Sequence, residues 1–349
     1  MGEAFNERAM DLFELYKKMY KARAFELAQA ELWRQGLISG ELHLGTGEEA
    51  IAAGVVAHVR KGDGVAVDHR ATPVFSLLGV GPVLMLKEML GREDGLCRGR
   101  GGHMHLFSAE NLAASSGIVG AAPPLAAGFA LAAKRLRPGS VGIAFFGEGA
   151  ANQGMVMEAW NLAVAWSLPA IFICKDNGWS ITTRSSSMTG GDLTRRAEGF
   201  GLSVLEADGL DVLAVWKAAG RAFEAARRGK GAQFLRFVCS RLDGHFLGDP
   251  LVRVARHPVT EGAETIRKSV SASLSRQGGV IGERAAGLIH MMKTLKEARK
   301  DRYGSKDDPV ARARAELKKR EDEVIRLEEE TDRLTSEAVE QALASGETV

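Results

Sequence analysis

Apolar positions repeat at helical spacing near the start of the chain. Leu12, Leu15, Met19, Phe25, Leu32 and Trp33 supply one face, which predicts one or two helices over residues 6–35. A helix of small residues, EAIAAGVVAHV (49–59), ends at KGDG and is followed by a short strand, VAVDH. Residues 83–90 return to helical spacing, and a Gly/Ala-rich helix is predicted over 124–136. Two runs, 141–146 and 170–174, then carry almost no polar residue, with a predicted helix over about 150–166 between them. Strands without polar alternation belong to a parallel sheet covered on both faces. A strand at 202–206, a helix at 211–228 and a strand at 233–239 extend the series. The pattern predicts an α/β fold: a parallel sheet with helices on both faces and helical N-terminal and C-terminal extensions.

Two stretches break the pattern. Between residues 91 and 117 (GREDGLCRGRGGHMHLFSAENLAASSG) periodicity disappears, and so long a loop in a compact domain is usually functional. Its RGRGG is a single copy without aromatic stacking partners, which favours a mobile active-site loop over a nucleic-acid tract. From about residue 296 the chain becomes densely charged. Asp308 and Pro309 read as N-cap and first helical residue, and Val310, Ala313, Leu317, Val324, Leu327 and Leu334 form a stripe broken by Arg320 and Thr331. A broken stripe predicts a helix laid on its own core or a partner rather than a free coiled coil. The chain divides into an N-terminal helical segment (1–40), an α/β domain (41–260) and a charged helical extension (261–349).

Composition narrows the function. The 349 residues carry 46 Lys+Arg against 44 Asp+Glu, a formal net charge of +2. Binding by phosphate neutralisation needs a clustered basic excess, so no nucleic-acid partner is expected. No apolar run reaches the roughly 18–20 residues of a membrane span, so no membrane association is expected. The amphipathic, acid-containing start reads as neither signal nor transit peptide, which predicts a cytoplasmic location. Cys97, Cys174 and Cys239 form no CxxC, against a disulfide framework or structural zinc. Cys174 and Cys239 end apolar strands and read as small buried hydrophobes. Glycine is in excess at 41 residues and is densest between Gly36 and Gly154, where backbone is expected to approach a ligand or turn sharply.

The strongest local signal is VGIAFFGEGAANQG, a helix, and then AIFICKDNGWS. Gly147 and Gly149 let the chain leave a strand without a Cβ clash, and the helix that follows points free N–H groups at an anion. The site lies at the carboxyl end of a parallel strand, where open α/β sheets bind ligands. Glu148 offers a carboxylate, and Asn177, at the end of the next strand, offers an amide oxygen. With a backbone carbonyl and two phosphate oxygens these make an oxygen-donor set suited to an octahedral Mg²⁺ site. A lone GxG is also an ordinary strand-to-helix turn, and there is no G-x-G-x-x-G to suggest a dinucleotide.

GEG–AANQG and KDN together resemble the thiamine-diphosphate motif, usually written GDG…NN. In more detail the chain resembles the alpha subunit of the decarboxylating first component of 2-oxo acid dehydrogenase complexes, and of acetoin dehydrogenases. GELHLGTGEEA, VDHR, RGRGGHMH, GIVGAAPPLAAGFALA, DGLDVLAV and DGHFLGDP have counterparts there in the same order, across roughly residues 15–260. The resemblance implies a thiamine-diphosphate-binding fold. It puts Glu148, Asn177 and the backbone carbonyl of Trp179 on the metal, and Gly149 and Ala150 against the diphosphate. Arg70 matches the arginine that grips the diphosphate, and His69 the neighbouring Tyr or His position. Gly117 and Val119 match the backbone that holds the aminopyrimidine. His43 and His245 match the two active-site histidines, which orient substrate, handle protons or relay the acyl group, with His245 also at the cofactor; His105 matches a histidine at the rim.

The family's glutamate that activates the aminopyrimidine sits on a separate beta subunit. The resemblance therefore implies an obligate beta partner, in an assembly of two alpha and two beta subunits, and a lipoyl-domain acyltransferase as acyl acceptor. Several positions depart from the family. Glu148 stands for Asp, Asp176 for the first Asn, Thr72 and Pro73 for His–Gly, and His103 for Ser. Phe246 and Leu247 replace the phosphorylated serine loop, so that regulation is not expected. A transketolase-like carbon-ligating transferase and a non-catalytic scaffold subunit are the alternatives. His58, His257 and His290 read as structural, residues 185–187 as a polar loop, and His103 with His105 as thin support for a separate metal site.

Overall fold

The computed structural model describes residues 10–249 and 305–344, with isolated helical positions between them; Pro250, His257 and His290 lie outside the described residues. The two apolar runs are the central strands, β4 (Gly142–Gly147) and β5 (Ala170–Asp176). Around them stand β1 (Gly64–Val67), β2 (Phe107–Ser108), β3 (Ala113–Ser115), β8 (Ser203–Asp208) and β9 (Gln233–Val238). The sheet order is β2-β3-β1-β4-β5-β9-β8, and every pairing is parallel except β2 with β3. A separate small hairpin joins β6 (Trp179–Ser180) to β7 (Thr183–Arg184).

Because successive side chains of a strand point to opposite faces, each fully apolar strand feeds two cores. Ile143, Phe145, Ile171 and Ile173 pack with Val55 of α2 (Glu49–Val56) and with Val215 and Phe223 of α8 (Val212–Arg227). Ala144, Phe146, Phe172 and Cys174 pack on the other face with α5 (Ala122–Leu136) and α6 (Gly154–Ala165), including the fully buried Trp160. Gly142 shows how close α5 comes: a Cβ there would lie 2.2 Å from the Ala126 carbonyl oxygen. The helix can settle this low because its inner face is alanine (Ala126, Ala127, Ala130 and Ala133).

The N-terminal stretch forms one helix, α1 (Leu12–Arg34), capped by Asp11. The charged C-terminal stripe forms α9 (Pro309–Glu316) and α10 (Glu321–Ala344), separated by a tight turn at 318–320. Asp308 caps α9, accepting the N–H groups of Val310 and Ala311. The broken stripe is thus two helices on the protein's own core. Val310, Ala313, Leu317 and Val324 bury against Leu15, Tyr16 and Met19 of α1, and Arg23 pairs with Asp308 at 2.9 Å. Ala338 and Ala342 reach the main core beside α4 (Pro82–Met89). Among the features not predicted are α3 (Thr72–Leu77), the β6–β7 hairpin, the helix Leu193–Gly199, and the short strands β2 and β3 inside the aperiodic stretch. Among the described residues no helix is long and apolar enough to cross a membrane.

One buried ion pair ties the sheet to α8. Asp63 accepts both Arg227 guanidinium nitrogens, at 2.8 and 2.7 Å, and the Val141 N–H at 3.0 Å. Replacing Asp63 by Ala strands a mostly buried guanidinium, and breaking such a pair costs about 3–5 kcal/mol. Denaturant unfolding of Asp63→Ala is expected to show a loss of that size with an unchanged m-value; a loss below about 1 kcal/mol would contradict it.

Candidate active site

A cavity of about 320 Å³ opens at the carboxyl ends of β1, β3, β4 and β5. His43, His69, Arg70, Gly117, Val119, Glu148, Gly149, Ala150, Asn177, Trp179 and His245 all line it. Chain folding thus gathers residues from six separate loops in one place. His105 does not line the cavity; it sits behind Gly117, where a Cβ would come within 3.3 Å of its Nε2.

On one wall the donors are oxygens. Glu148 is 3 % exposed, and its carboxylate accepts the Ser185 hydroxyl at 2.5 Å and the Asn177 N–H at 3.3 Å. Burial, reinforced by the charge of Asp176 and opposed by the Ser185 hydrogen bond, pushes its pKa up to about 7. A carboxylate buried in this way, beside a second carboxylate, is one that a cation would stabilise in its charged form. The Asn177 amide oxygen is oriented by the Trp179 N–H at 3.1 Å. Asp176, standing where the family has Asn, is held by Arg236 at 2.6 Å and turns away from this role. Gly149 allows the β6–β7 hairpin to close over the turn, since a Cβ there would meet the Ser180 hydroxyl at 2.6 Å.

The opposite wall is imidazole and guanidinium. The rings of His43 and His69, and of His43 and His245, have centroids 4.7 Å apart, and His69 and His245 lie 5.5 Å apart. Burial first, and then the charge of Arg70, lowers all three: His43 to about 3, His245 to about 4 and His69 well below its usual value. All three are neutral at pH 7. Their nitrogens lie within 4.8 Å of one another, close enough to share a soft cation. Arg70 beside them makes this positive ground, better suited to an anion. His69 Nε2 is buried without a hydrogen-bond partner, a polar atom left for a ligand.

Arg70 itself is 4 % exposed and binds the carbonyls of Leu44, Gly244 and His245, the last at 2.7 Å, so it clamps the two histidine loops together. Behind it Lys175 bridges Glu48 at 2.6 Å and Asp68 at 3.0 Å. Burial alone would lower that ammonium, but Asp68 and Glu48 hold it well above its usual range.

Several functional neighbours were not legible beforehand. Ser185, read as part of a polar loop, is Glu148's hydrogen-bond donor. The RGRGG loop, expected to be mobile, is pinned: the buried Glu88 carboxylate accepts N–H bonds from Cys97 at 2.6 Å, Gly99 at 2.8 Å and Gly101 at 2.6 Å. His103 contacts His43. Glu26, fully buried, holds the HLGT loop through Gly45 N–H and Thr72. The only comparable sequence signal was an acidic residue on an otherwise apolar helix face.

Burial pushes Glu26 up to about 7, against its hydrogen bonds. Its folded pKa exceeds the unfolded one, so the folded state is favoured below the unfolded pKa and penalised as pH rises through about 7. Glu26→Gln removes that penalty. Its unfolding free energy relative to wild type should therefore rise by up to about 3 kcal/mol between pH 5 and pH 8. A pH-independent difference in denaturant melts would refute this.

Residues 16–269 match the family described as the dehydrogenase E1 component. The alpha subunit of acetoin:2,6-dichlorophenolindophenol oxidoreductase from Cupriavidus necator is 41% identical over 240 residues, covering 68% of this chain and 72% of that one. The pyruvate dehydrogenase E1 component subunit alpha of Zymomonas mobilis is 39% identical over 259 residues, covering 73% of each. The acetoin oxidoreductase alpha subunit of Bacillus subtilis is 39% identical over 237 residues, covering 67% of this chain and 71% of its own. Matched over most of the α/β fold and over every loop of the cavity described above, the chain belongs to the dehydrogenase E1 component family.

Proposed function

We propose that this chain is the alpha subunit of a thiamine-diphosphate-dependent dehydrogenase acting on a 2-oxo acid or on acetoin, with the acyl group passed to lipoamide on a partner. The observation that carries this is the single cavity in which an oxygen-donor wall faces a neutral, guanidinium-backed imidazole wall. Thiamine diphosphate supplies an electron sink for the carbonyl carbon when a carbon–carbon bond breaks.

The residues present fit that group. Glu148 and Asn177, with the Trp179 carbonyl, would hold Mg²⁺; the extra methylene of Glu over Asp is taken up by the Ser185 hydrogen bond that fixes the carboxylate. The glycine turn at Gly149 and Ala150 would face the diphosphate, and the buried Arg70 would balance its charge. Gly117 and Val119 would support the aminopyrimidine, and the unpartnered His69 Nε2 is available to the cofactor. His43 and His245 would address the substrate.

Among the described residues the cavity's carboxylates are Glu41, Glu48, Asp68 and Glu148. Glu48 and Asp68 are committed to Lys175, Glu148 faces the oxygen donors, and Glu41 stands 3.9 Å from His43. As the family resemblance implies, the glutamate that activates the aminopyrimidine would come from a beta subunit. Ile118 and Val119, 63 % and 58 % exposed at the cavity mouth, suit burial beneath such a partner.

Calorimetry on the chain assembled with its beta partner should show thiamine-diphosphate uptake that requires Mg²⁺. Asn177→Ala should abolish that uptake while leaving assembly intact. Absence of any cofactor uptake by the assembled wild type would overturn the proposal.

A further inference from the structure

His103 replaces the serine expected from the family resemblance, and it stands directly behind His43. Its Nε2 lies 3.2 Å from the His43 backbone nitrogen and 3.0 Å from His43 Nδ1. A backbone N–H can only donate. His103 Nε2 must therefore be the acceptor, with its proton on Nδ1. An acceptor 3.0 Å from His43 Nδ1 obliges that nitrogen to carry the proton as well. Burial, followed by the Arg70 charge and His105, lowers His103 to about 4, so the ring is neutral and can play this part.

With Nδ1 protonated and the ring neutral, His43 Nε2 is bare. The Glu41 carboxylate lies 3.9 Å from that atom, beyond hydrogen-bonding distance. We propose that His103 is a positioning residue that locks His43 in the tautomer whose Nε2 accepts a proton from the cavity, and that the cavity is thereby fitted to an α-hydroxy ketone.

The chemistry separates the two candidate substrate classes, and here the inference rests on the proposed function. A 2-oxo acid offers a keto oxygen and a carboxylate, both acceptors, and it loses CO₂ without giving up a hydroxyl proton. An α-hydroxy ketone has a hydroxyl that can donate to His43 Nε2. Breaking its carbon–carbon bond requires that proton to leave. The O–H pair would become the new C=O of the departing aldehyde and the proton would go to Nε2, with thiamine diphosphate, when bound, supplying the sink for the C–C pair. Burial lowers His43 most and the Arg70 charge next; an anion beside Arg70 would offset the second of these and so strengthen Nε2 as a base.

The test is nitrogen NMR of the histidine-labelled full chain assembled with its partner, together with steady-state kinetics. In the wild type His43 should show a protonated Nδ1 and a bare Nε2. His103→Leu should let the two tautomers mix and lower kcat/KM on an α-hydroxy ketone about 10²-fold. His103→Gln, whose Oε1 can accept the same two N–H groups, should restore both the spectrum and most of the rate. The wild type should also turn over an α-hydroxy ketone with higher kcat/KM than the matching 2-oxo acid. A proton on His43 Nε2 in the wild type, no rescue by Gln, or a preference for the 2-oxo acid each overturns the inference. The spectrum is read without turnover, so a failure of cofactor binding is seen separately and counts against the proposed function alone.

Discussion

Arg70 is a positive charge with almost no access to water, and the loops of the cavity close around it. Its guanidinium binds carbonyls from the loop that carries His43 and from the loop that carries His245, two segments far apart in the chain. Such a charge is tolerable only where backbone dipoles or an anion surround it. The same charge follows burial as the next cause of the low basicity of His43, His69, His103 and His245. One side chain therefore joins the site mechanically and sets its electrostatics: imidazoles kept neutral, and ground that favours a diphosphate over a cation. On the far wall the balance is reversed, because burial, with the charge of Asp176 adding to it, lifts Glu148 toward neutrality.

Much of this was legible in the sequence because it rests on local rules. The apolar runs of β4 and β5 read as buried strands, and the glycines after β4 as a tight exit from a strand. The collinear motifs' expected site residues, His105 excepted, line one cavity. What escaped notice depends on contacts distant in sequence. β2 and β3 span two and three residues, too short for any periodicity to register. Glu88 lies on the short helix predicted over 83–90, where no pattern marks it, yet it fixes the RGRGG loop by accepting three backbone N–H groups. Ser185 and His103 lie in polar stretches with no pattern of their own, and only the fold brings them against Glu148 and His43.

The departures from the expected motif each have a partner in the structure. Glu148 has Ser185 to fix its longer side chain, and Asp176 has Arg236 to absorb its charge. His103 has taken the place of a hydroxyl and fills it with a ring acceptor for His43. Thr72, in place of a histidine, hydrogen-bonds the buried Glu26 and so becomes part of the support under the HLGT loop. These substitutions are accommodated ones, which argues for a working site adapted to its own substrate rather than for a scaffold that has lost its function.

The most direct test of the central claim is a crystal structure of the chain assembled with its partner, soaked with thiamine diphosphate and Mn²⁺ in place of Mg²⁺. Anomalous scattering should place one metal between the Glu148 carboxylate, the Asn177 amide oxygen and the Trp179 carbonyl, with diphosphate oxygens completing its shell and Arg70 on the anion's side. A metal bound instead by His43, His69 and His245, or a diphosphate seated outside the cavity, would contradict the account.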